Sequence, residues 1–308
     1  MGEPTQPQPP ATGLPSQPML RPGVRAVRSD EHHLRVGLGP GAVLLPDTPA
    51  TRDLVARLAD GRAVVAWDDV TLPVGRRLGD AGLLVDGAAF WRAAREGRRS
   101  GLARQVVADA FAAGGEPTAR LARRLGTWVA LDLPDGWRTP ITDLLAASGV
   151  TTFPVAEESL PSARLVARLG EPRRDELDPL VRSGEPHLLM RVVEGRVTVG
   201  PFVESGRTAC CRCVDAHLSE RDPRRPIVVE QYADPSGVRI VPEPVSPTLL
   251  AAGWALAAHD LVAHAEGREP ATWSATITLD RDLTLERTRW SRHPCCGCGW
   301  AGDLWGVV

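Results

Sequence analysis

The six cysteines of this 308-residue chain all lie in two short clusters, CCRC at 210–213 and CCGC at 295–298. Two thiolates separated by two residues can span one edge of a tetrahedral metal site, and two such pairs complete a closed structural zinc site. Such an ion would tie two distant segments of the chain together. We expect one structural zinc ion per chain, bound by Cys210, Cys213, Cys298 and either Cys295 or Cys296. The CxxC spacing favours Cys295.

Each cluster carries one cysteine more than a four-thiolate site needs. In a chain without an export signal, metal binding is favoured over disulfides. Four cysteine ligands leave no position for a reactive water, so we expect no catalytic zinc. The alternative is a redox or thiol protein that uses Cys211 or Cys296, because the nearby Arg212 or His293 would lower the pKa of a thiol.

Charge and composition exclude several classes of function. The chain has 36 basic residues, all of them arginine, and 38 acidic residues, for a net charge of −2. Charge therefore gives no reason to expect a nucleic-acid or membrane partner. Because lysine is absent, Walker-type phosphate loops and Schiff-base chemistry are excluded. With no apolar run of about 20 residues and no signal-peptide pattern, we expect a cytoplasmic protein.

The residue pattern divides the first third of the chain into a tail, a small domain and a linker. The proline-rich segment 1–18 cannot bury enough apolar surface to fold, so we expect a disordered tail. Residues 19–90 predict a winged-helix-like α+β domain, in which Thr48 caps the first helix. Its expected strands are Val24–Arg28, Leu34–Leu38 and Ala42–Leu45, and its expected helices are Ala50–Leu58 and Leu72–Asp80. The basic, glycine-containing stretch 91–101 is interpreted as a linker.

From residue 102 onward, strand and helix patterns alternate, beginning with an expected strand at Gln105–Ala108. This alternation predicts a mostly parallel sheet with helices on both faces. After the first cysteine cluster we expect an extended stretch at Ile227–Val241. A helix at Ser246–Ala265 follows, with Ser246 as N-cap and proline at its first position. A hairpin of Thr272–Leu279 and Leu283–Arg289 leads to the second cluster.

Several motifs, in order, resemble the ThiF-like cyclodehydratase subunits of azole-forming peptide natural-product clusters. These subunits are also called thiazole/oxazole-modified microcin leader-peptide-binding proteins. The motifs are MLRPGV at 19–24, GPFV at 200–203, TACCRCVDAH at 208–217, RDP at 221–223 and HPCCGC at 293–298. The resemblance covers about residues 19–300. It implies a winged-helix-like peptide recognition domain, then a ThiF-like, ubiquitin-activating-like α/β domain at 102–308 with a tetracysteine zinc site. It also places the fourth zinc ligand at Cys296 rather than Cys295.

The sequence departs from the adenylating members of this family. The turn aligned with their phosphate loop reads VADAFAAGG at 107–115, without the GxGxxG pattern that lets backbone approach a phosphate. No lysine can neutralise a triphosphate. The strand that should end in a magnesium-binding aspartate ends instead at Gly170-Glu171. We therefore expect a degenerate adenylating domain with no nucleotide-binding and no catalytic residues, inactive on its own.

The resemblance then implies a leader-peptide-binding scaffold that presents a ribosomal precursor peptide to a YcaO-type partner enzyme, in azole or azoline (bacteriocin-type) biosynthesis. The leader would add a strand to an exposed sheet edge. We expect that edge at Val43, Leu44 and Leu45, with Arg76 and Arg77 meeting acidic leader residues.

The alternative is an active ATP-dependent adenylating enzyme. In that case Arg173 and Arg174 would replace the missing lysine, and Asp132 would bind ribose. A homodimer is left open.

Overall fold

The computed structural model describes residues 13–61, 65–154, 161–233 and 241–298. The chain divides into two compact units, residues 1–121 and 122–308. No helix in the described ranges combines the length and the apolar character needed to cross a bilayer.

Unit 1 combines two small antiparallel sheets with helices. Its strands are β1 Pro18–Leu20, β2 Ala26–Arg28, β3 His33–Val36, β4 Val43–Pro46 and β5 Leu84–Asp86. Its helices are α1 Pro49–Asp60, α2 Thr71–Asp80, α3 Gly87–Arg99 and α4 Arg104–Ala112, and α5 Pro117–Leu125 runs across the division. One sheet has the order β2-β3-β4, and the other pairs β1 with β5. Thr48 caps α1 as expected, because its hydroxyl accepts a hydrogen bond from Thr51 N–H at 3.1 Å.

Three expectations for unit 1 are wrong. Residues 13–18 are not a disordered tail, since Leu14 is buried and β1 begins at Pro18; residues 1–12 lie outside the described ranges. The expected linker is mostly α3. Gly97 within it is a close-packing point rather than a break, because a Cβ there would lie 3.2 Å from Val107 of α4. The expected strand at 105–108 is part of α4, whose buried residues recur at helical spacing.

Unit 2 contains a seven-stranded mixed sheet of order β12-β11-β10-β9-β8-β6-β7. Its strands are β6 Trp128–Asp132, β7 Thr151–Pro154, β8 Ala163–Leu169, β9 His187–Val193, β10 Arg196–Val203, β11 Ala275–Leu279 and β12 Leu285–Arg289. Its helices are α6 Arg138–Ala147, α7 Arg174–Ser183, α8 Cys211–Ser219, α9 Arg225–Ala233 and α10 Pro247–Ala265. Strands β6 to β9 are parallel, whereas β10 to β12 extend the sheet antiparallel.

Helices cover both faces of this sheet, and the alternation of side chains along β8 explains how. Leu165 and Ala167 belong to the main core with α6 and α10, whereas Val166 packs on the other side with Leu177 of α7 and Cys211 of α8. The α7–α8 face thereby brings the first cysteine cluster onto the sheet.

Two expectations for unit 2 need correction. The sheet is parallel only from β6 to β9, because β10 and the β11–β12 hairpin extend it antiparallel. The stretch expected to be extended from Ile227 begins as α9; its β-branched run favoured a strand, but only Val229 is buried, so the run never enters a sheet. Residues 234–240 of that stretch lie outside the described ranges.

The position of the phosphate loop changes as well. Because 107–115 lies in α4 and the turn after it, the first strand of unit 2 is β6, and the corresponding turn is LPDGW at 133–137.

Candidate functional site

The first cysteine pair lies at the start of α8. The chain leaves β10 and passes through a turn in which Thr208 Oγ1 accepts a hydrogen bond from Glu204 N–H at 2.8 Å. Cys210 is the N-cap of α8, and Cys213 lies in its first turn. An N-cap residue and the residue three positions later face the same side. Both thiols are therefore buried on one side of the helix, with exposed fractions of 2% and 0%.

The second pair lies on a tight turn after β12. Cys296 N–H donates to His293 C=O at 3.0 Å, and Gly297 adopts a φ of +75°. This left-handed conformation, which favours glycine, reverses the chain between Cys296 and Cys298. The turn makes a Cys-Gly-Cys pair, so Cys295 faces solvent instead.

Four thiols form a compact cluster. The Sγ atoms of Cys210, Cys213, Cys296 and Cys298 all lie within 4.8 Å of one another. The Cys210–Cys213 distance is 3.7 Å, and the Cys210–Cys296 and Cys213–Cys298 distances are both 3.4 Å. A zinc ion with Zn–S bonds of about 2.3 Å has S–S edges of about 3.8 Å. The cluster thus fits one tetrahedral ion, and it contains Cys296, as the resemblance implies, rather than Cys295.

The electrostatics of the cluster also fit a cation. A hydrogen bond from the Cys210 thiol raises the pKa of Cys210 and lowers the pKa of its acceptor, Cys213. Burial raises the pKa of Cys298. A divalent ion at the cluster would allow all four sulfurs to ionise.

Two hydrogen bonds hold α8 against the segment that carries the second pair. His217 Nε2 lies 3.0 Å from Ser291 C=O. His293 Nδ1 accepts from Cys295 N–H at 3.2 Å, so its proton is on Nε2, which lies 3.2 Å from a Glu220 carboxylate oxygen. His217, Glu220 and His293 could themselves be read as a metal site. A metal ion on Nε2, however, would require the His293 proton on Nδ1 and so the loss of the hydrogen bond from Cys295 N–H; in the present arrangement the group acts as a clamp.

Cys211 points away from the thiol cluster. It packs with Val166, Leu177 and Leu189 on the sheet, and burial raises its pKa to about 11. A thiol of this kind is protonated near neutral pH, which disfavours a reactive-cysteine role.

A buried ion-pair network fixes α7 against α8. Arg174 Nε donates to Asp215 at 2.6 Å and its Nη2 to Glu171 at 2.6 Å. Arg191 lies 3.2 Å from the other oxygen of Glu171. Burial lowers the pKa of Arg174, but the hydrogen bonds to Asp215 outweigh it and raise the pKa above its ordinary value. Glu171, which stands where a magnesium-binding aspartate was expected, is therefore neutralised by two arginines.

The carboxyl ends of β6 and β8 form the switch point at which open α/β sheets bind nucleotides. There, Asp132 and Arg168 make a bidentate pair, with both N–O distances 2.9 Å. The turn after β6 contains one glycine, Gly136. The two arginines of the adenylating alternative are also engaged, since Arg173 pairs with Asp175 at 3.0 Å and Arg174 is buried.

The residues expected at the peptide edge lie on two adjacent elements. Leu45 of β4 is fully buried in the core, Val43 is half-buried, and Leu44 is 46% exposed on the opposite face. Arg76 and Arg77 are both exposed on α2, which packs beside β4. The strand β4 is one edge of its sheet.

The other edge of that sheet was missed by sequence reasoning. A groove of about 570 Å³ lies between β2 and α1, lined by Val24, Ala26 and Leu34 and by Val55 and Ala56 of α1. The alternation of β2 gave no sign of it, because the groove depends on how far α1 stands from the strand.

Comparison of the sequence with protein-family models and with curated proteins finds no match. Among solved structures, a heterocyclase in complex with substrate and cofactor superposes with a TM-score of 0.67 at 16% identity, over 91% of this chain and 39% of the other. The heterocyclase TruD gives 0.68 at 18%, over 92% and 43%. E. coli MccB gives 0.63 at 13%, over 92% and 99%.

This chain has the fold of these heterocyclases and of MccB. It spans about two fifths of the heterocyclase chains and nearly all of MccB. The resemblance stated from the motifs is thereby confirmed at the level of fold.

Proposed function

We propose that this chain is a non-catalytic, leader-peptide-binding scaffold, which presents a ribosomal precursor peptide to a YcaO-type enzyme that forms azoles or azolines. The observation that carries the proposal is the free outer edge of β4 in a small sheet flanked by a helix that bears two unpaired arginines. The shared fold with heterocyclases supports the biosynthetic setting.

The β4 edge has backbone groups available for a peptide strand. Just after β4, Asp47 N–H donates to His32 C=O, so these two residues form a hydrogen-bonded pair of the β3–β4 ladder. Two residues before Asp47, Leu45 is paired with Leu34, and Leu44 lies opposite Arg35. Since hydrogen-bonded pairs alternate in an antiparallel ladder, the N–H and C=O of Leu44 point outward. An added peptide strand would hydrogen-bond there and contact the Leu44 side chain.

Charge favours β4 over β2 for an acidic leader. Neither Arg76 nor Arg77 pairs with a carboxylate among the described residues. At the β2 side, by contrast, Arg28 and Arg52 both pair with Asp47, at 3.0 and 2.5 Å, which leaves Arg25 as the one arginine of the groove lining without a carboxylate partner among the described residues. The groove between β2 and α1 makes that edge the second candidate, suited to a more apolar segment.

The adenylating alternative is less well supported. A nucleotide at the switch point would have to displace the bidentate pair of Asp132 and Arg168, and the turn beside it lacks the glycines that admit a phosphate. Zinc fits the thiol cluster as a structural ion, which would supply a cross-link and no catalytic position. We infer that a separate YcaO-type partner supplies the chemistry, and that any homodimer is incidental to it.

Calorimetric titration with the leader portion of the precursor peptide encoded beside this protein tests the proposal. Leu44→Glu and the pair Arg76→Gln/Arg77→Gln should each weaken binding about tenfold or more. Leu285→Glu, an equally exposed leucine on the edge strand β12, is the matched control and should bind like wild type.

Val27→Glu, at the exposed β2 edge, separates the two edges of the sheet. Loss of binding there, with Leu44→Glu unaffected, would move the site to the β2 edge. Unchanged binding in both edge variants, Leu44→Glu and Val27→Glu, would refute strand addition in unit 1.

A further inference from the structure

A basic hollow of about 450 Å³ lies on the surface of unit 1, on residues that the proposed leader site does not use. Arg92, Arg95 and Arg98 of α3 line it, together with Arg104 from the first turn of α4. Because the α3 positions are three residues apart, their side chains share one face of the helix. The stretch that the sequence presents as a polar linker is therefore a charged helix face.

The hollow is held in place by buried contacts on the other side of α3. Phe90 and Ala93 face the core with α4. Asp86 caps the helix, its carboxylate accepting from Ala88 N–H at 2.8 Å. Trp91 is anchored by a hydrogen bond from Nε1 to Asp60 C=O at 2.8 Å. These contacts fix the helix α3 that carries the arginines.

The positive charge in the hollow is not neutralised within the described part of the chain. All four arginines are exposed, and none lies in an ion pair with a described carboxylate. Glu96, the one acidic residue of α3, is not part of the lining. Four guanidinium groups repel one another, and each gains most from a carboxylate that accepts two of its N–H bonds.

We propose that the α3 basic hollow binds an acidic segment of a polypeptide partner, with its carboxylates paired to Arg92, Arg95 and Arg98. A peptide fits better than a nucleic acid. The Arg104 guanidinium lies 5.6 Å over the Trp91 ring, so it covers a face of that ring on which a base would otherwise stack. The net charge of −2 also opposes a general nucleic-acid binder.

Fluorescence anisotropy with the full-length, metal-loaded protein tests this inference at about 50 mM salt, where exposed ion pairs are strongest. The probe is a labelled peptide with six alternating Asp and Glu residues, compared with the same peptide carrying Asn and Gln. Arg92→Gln/Arg95→Gln/Arg98→Gln should weaken binding about tenfold or more. The matched control, Arg221→Gln/Arg281→Gln/Arg289→Gln, removes three other exposed arginines and should bind like wild type.

Thermal melting of both triple variants checks that the fold is intact, and Arg104→Gln alone provides a milder variant if the triple one melts early. Five results would overturn the inference. The acidic peptide binds the α3 variant as tightly as wild type, or binds neither protein up to millimolar concentration. Arg76→Gln/Arg77→Gln, rather than the α3 variant, abolishes binding of the acidic peptide. Single-stranded DNA of equal charge binds more tightly than the peptide. Inorganic phosphate displaces the peptide at equal concentration, which would indicate a general anion site.

Discussion

Replacing single cysteines of the second cluster tests the metal site most sharply. Cys296 belongs to the thiol cluster and Cys295 faces solvent, although the two residues are adjacent. Cys296→Ala should therefore abolish stoichiometric zinc binding, whereas Cys295→Ala should leave one zinc per chain. The two variants differ only in which sulfur is removed, so each controls for the other.

The magnitude follows from the loop that the metal closes. Cys210 and Cys296 are 86 residues apart in sequence. A cross-link over a loop of this length lowers the entropy of the unfolded chain by an amount worth about 4.5 kcal/mol at 25 °C. In a unit of 150–250 residues, 1 kcal/mol shifts the Tm by about 2–4 °C. Cys296→Ala should thus lower the Tm by about 9–18 °C.

The assay combines zinc quantification by atomic emission with thermal melting, before and after a chelator. Chelation should lower the Tm of wild type and of Cys295→Ala to the level of Cys296→Ala, and leave Cys296→Ala unchanged. If Cys295→Ala loses the zinc while Cys296→Ala keeps it, the ligand assignment is wrong. If the Tm is the same with and without bound zinc, the cross-link argument is wrong.

Three further predictions concern stability. Burial lowers the pKa of His187, so below pH about 6.5 this histidine is protonated in the unfolded chain and stays neutral in the folded chain. The free energy of unfolding therefore falls as the pH drops below that value, and His187→Gln should reduce this dependence between pH 7 and 5. Hydrogen bonds from two arginines lower the pKa of Asp47 to about 2, so its contribution is present above pH about 4 and is lost towards pH 2; Asp47→Asn should melt earlier at pH 6 but match wild type at pH 2. Gly200→Ala would put Cβ 2.3 Å from a backbone carbonyl oxygen at a φ of +100°, costing at least about 2 kcal/mol in chemical denaturation; Gly206→Ala, at a similar φ in open space, should cost less, and equal losses would refute the contact argument.

The sequence predicts elements well where local signals and burial agree. Thr48 and Ser246 cap helices that begin where expected, because a hydroxyl before a proline-led apolar segment has one clear use. The β9–β10 and β11–β12 hairpins were also expected. Their alternation is strong and their turns are polar.

The sequence fails where tertiary packing decides. Gly97 suggests a flexible linker, yet it serves the close approach of α3 to α4. The β-branched run from Ile227 suggests a strand, yet it finds no sheet partner and forms α9. The strand expected at 105–108 placed the phosphate loop at 107–115. Because β6 is the first strand of unit 2, the turn to compare is 133–137.

Residue spacing predicts the thiol cluster except for its fourth member, which the family resemblance places at Cys296. Spacing favours Cys295, because Cys295 and Cys298 are separated by two residues, as are Cys210 and Cys213. The first pair begins a helix, whereas the second reverses at Gly297 with positive φ. The clamp formed by Glu220 and His293 was out of reach, since 73 residues separate the two.

The proposed function requires that this chain binds a peptide and does not use ATP. Calorimetric titration of the zinc-loaded protein with ATP and Mg²⁺, followed by the leader peptide, tests it directly, with pyrophosphate release measured on the same samples. We predict no heat from ATP, no pyrophosphate, and leader binding with a Kd in the micromolar range. Saturable ATP binding with pyrophosphate release would contradict it. That result would favour an adenylating enzyme that binds its nucleotide at the switch point between β6 and β8.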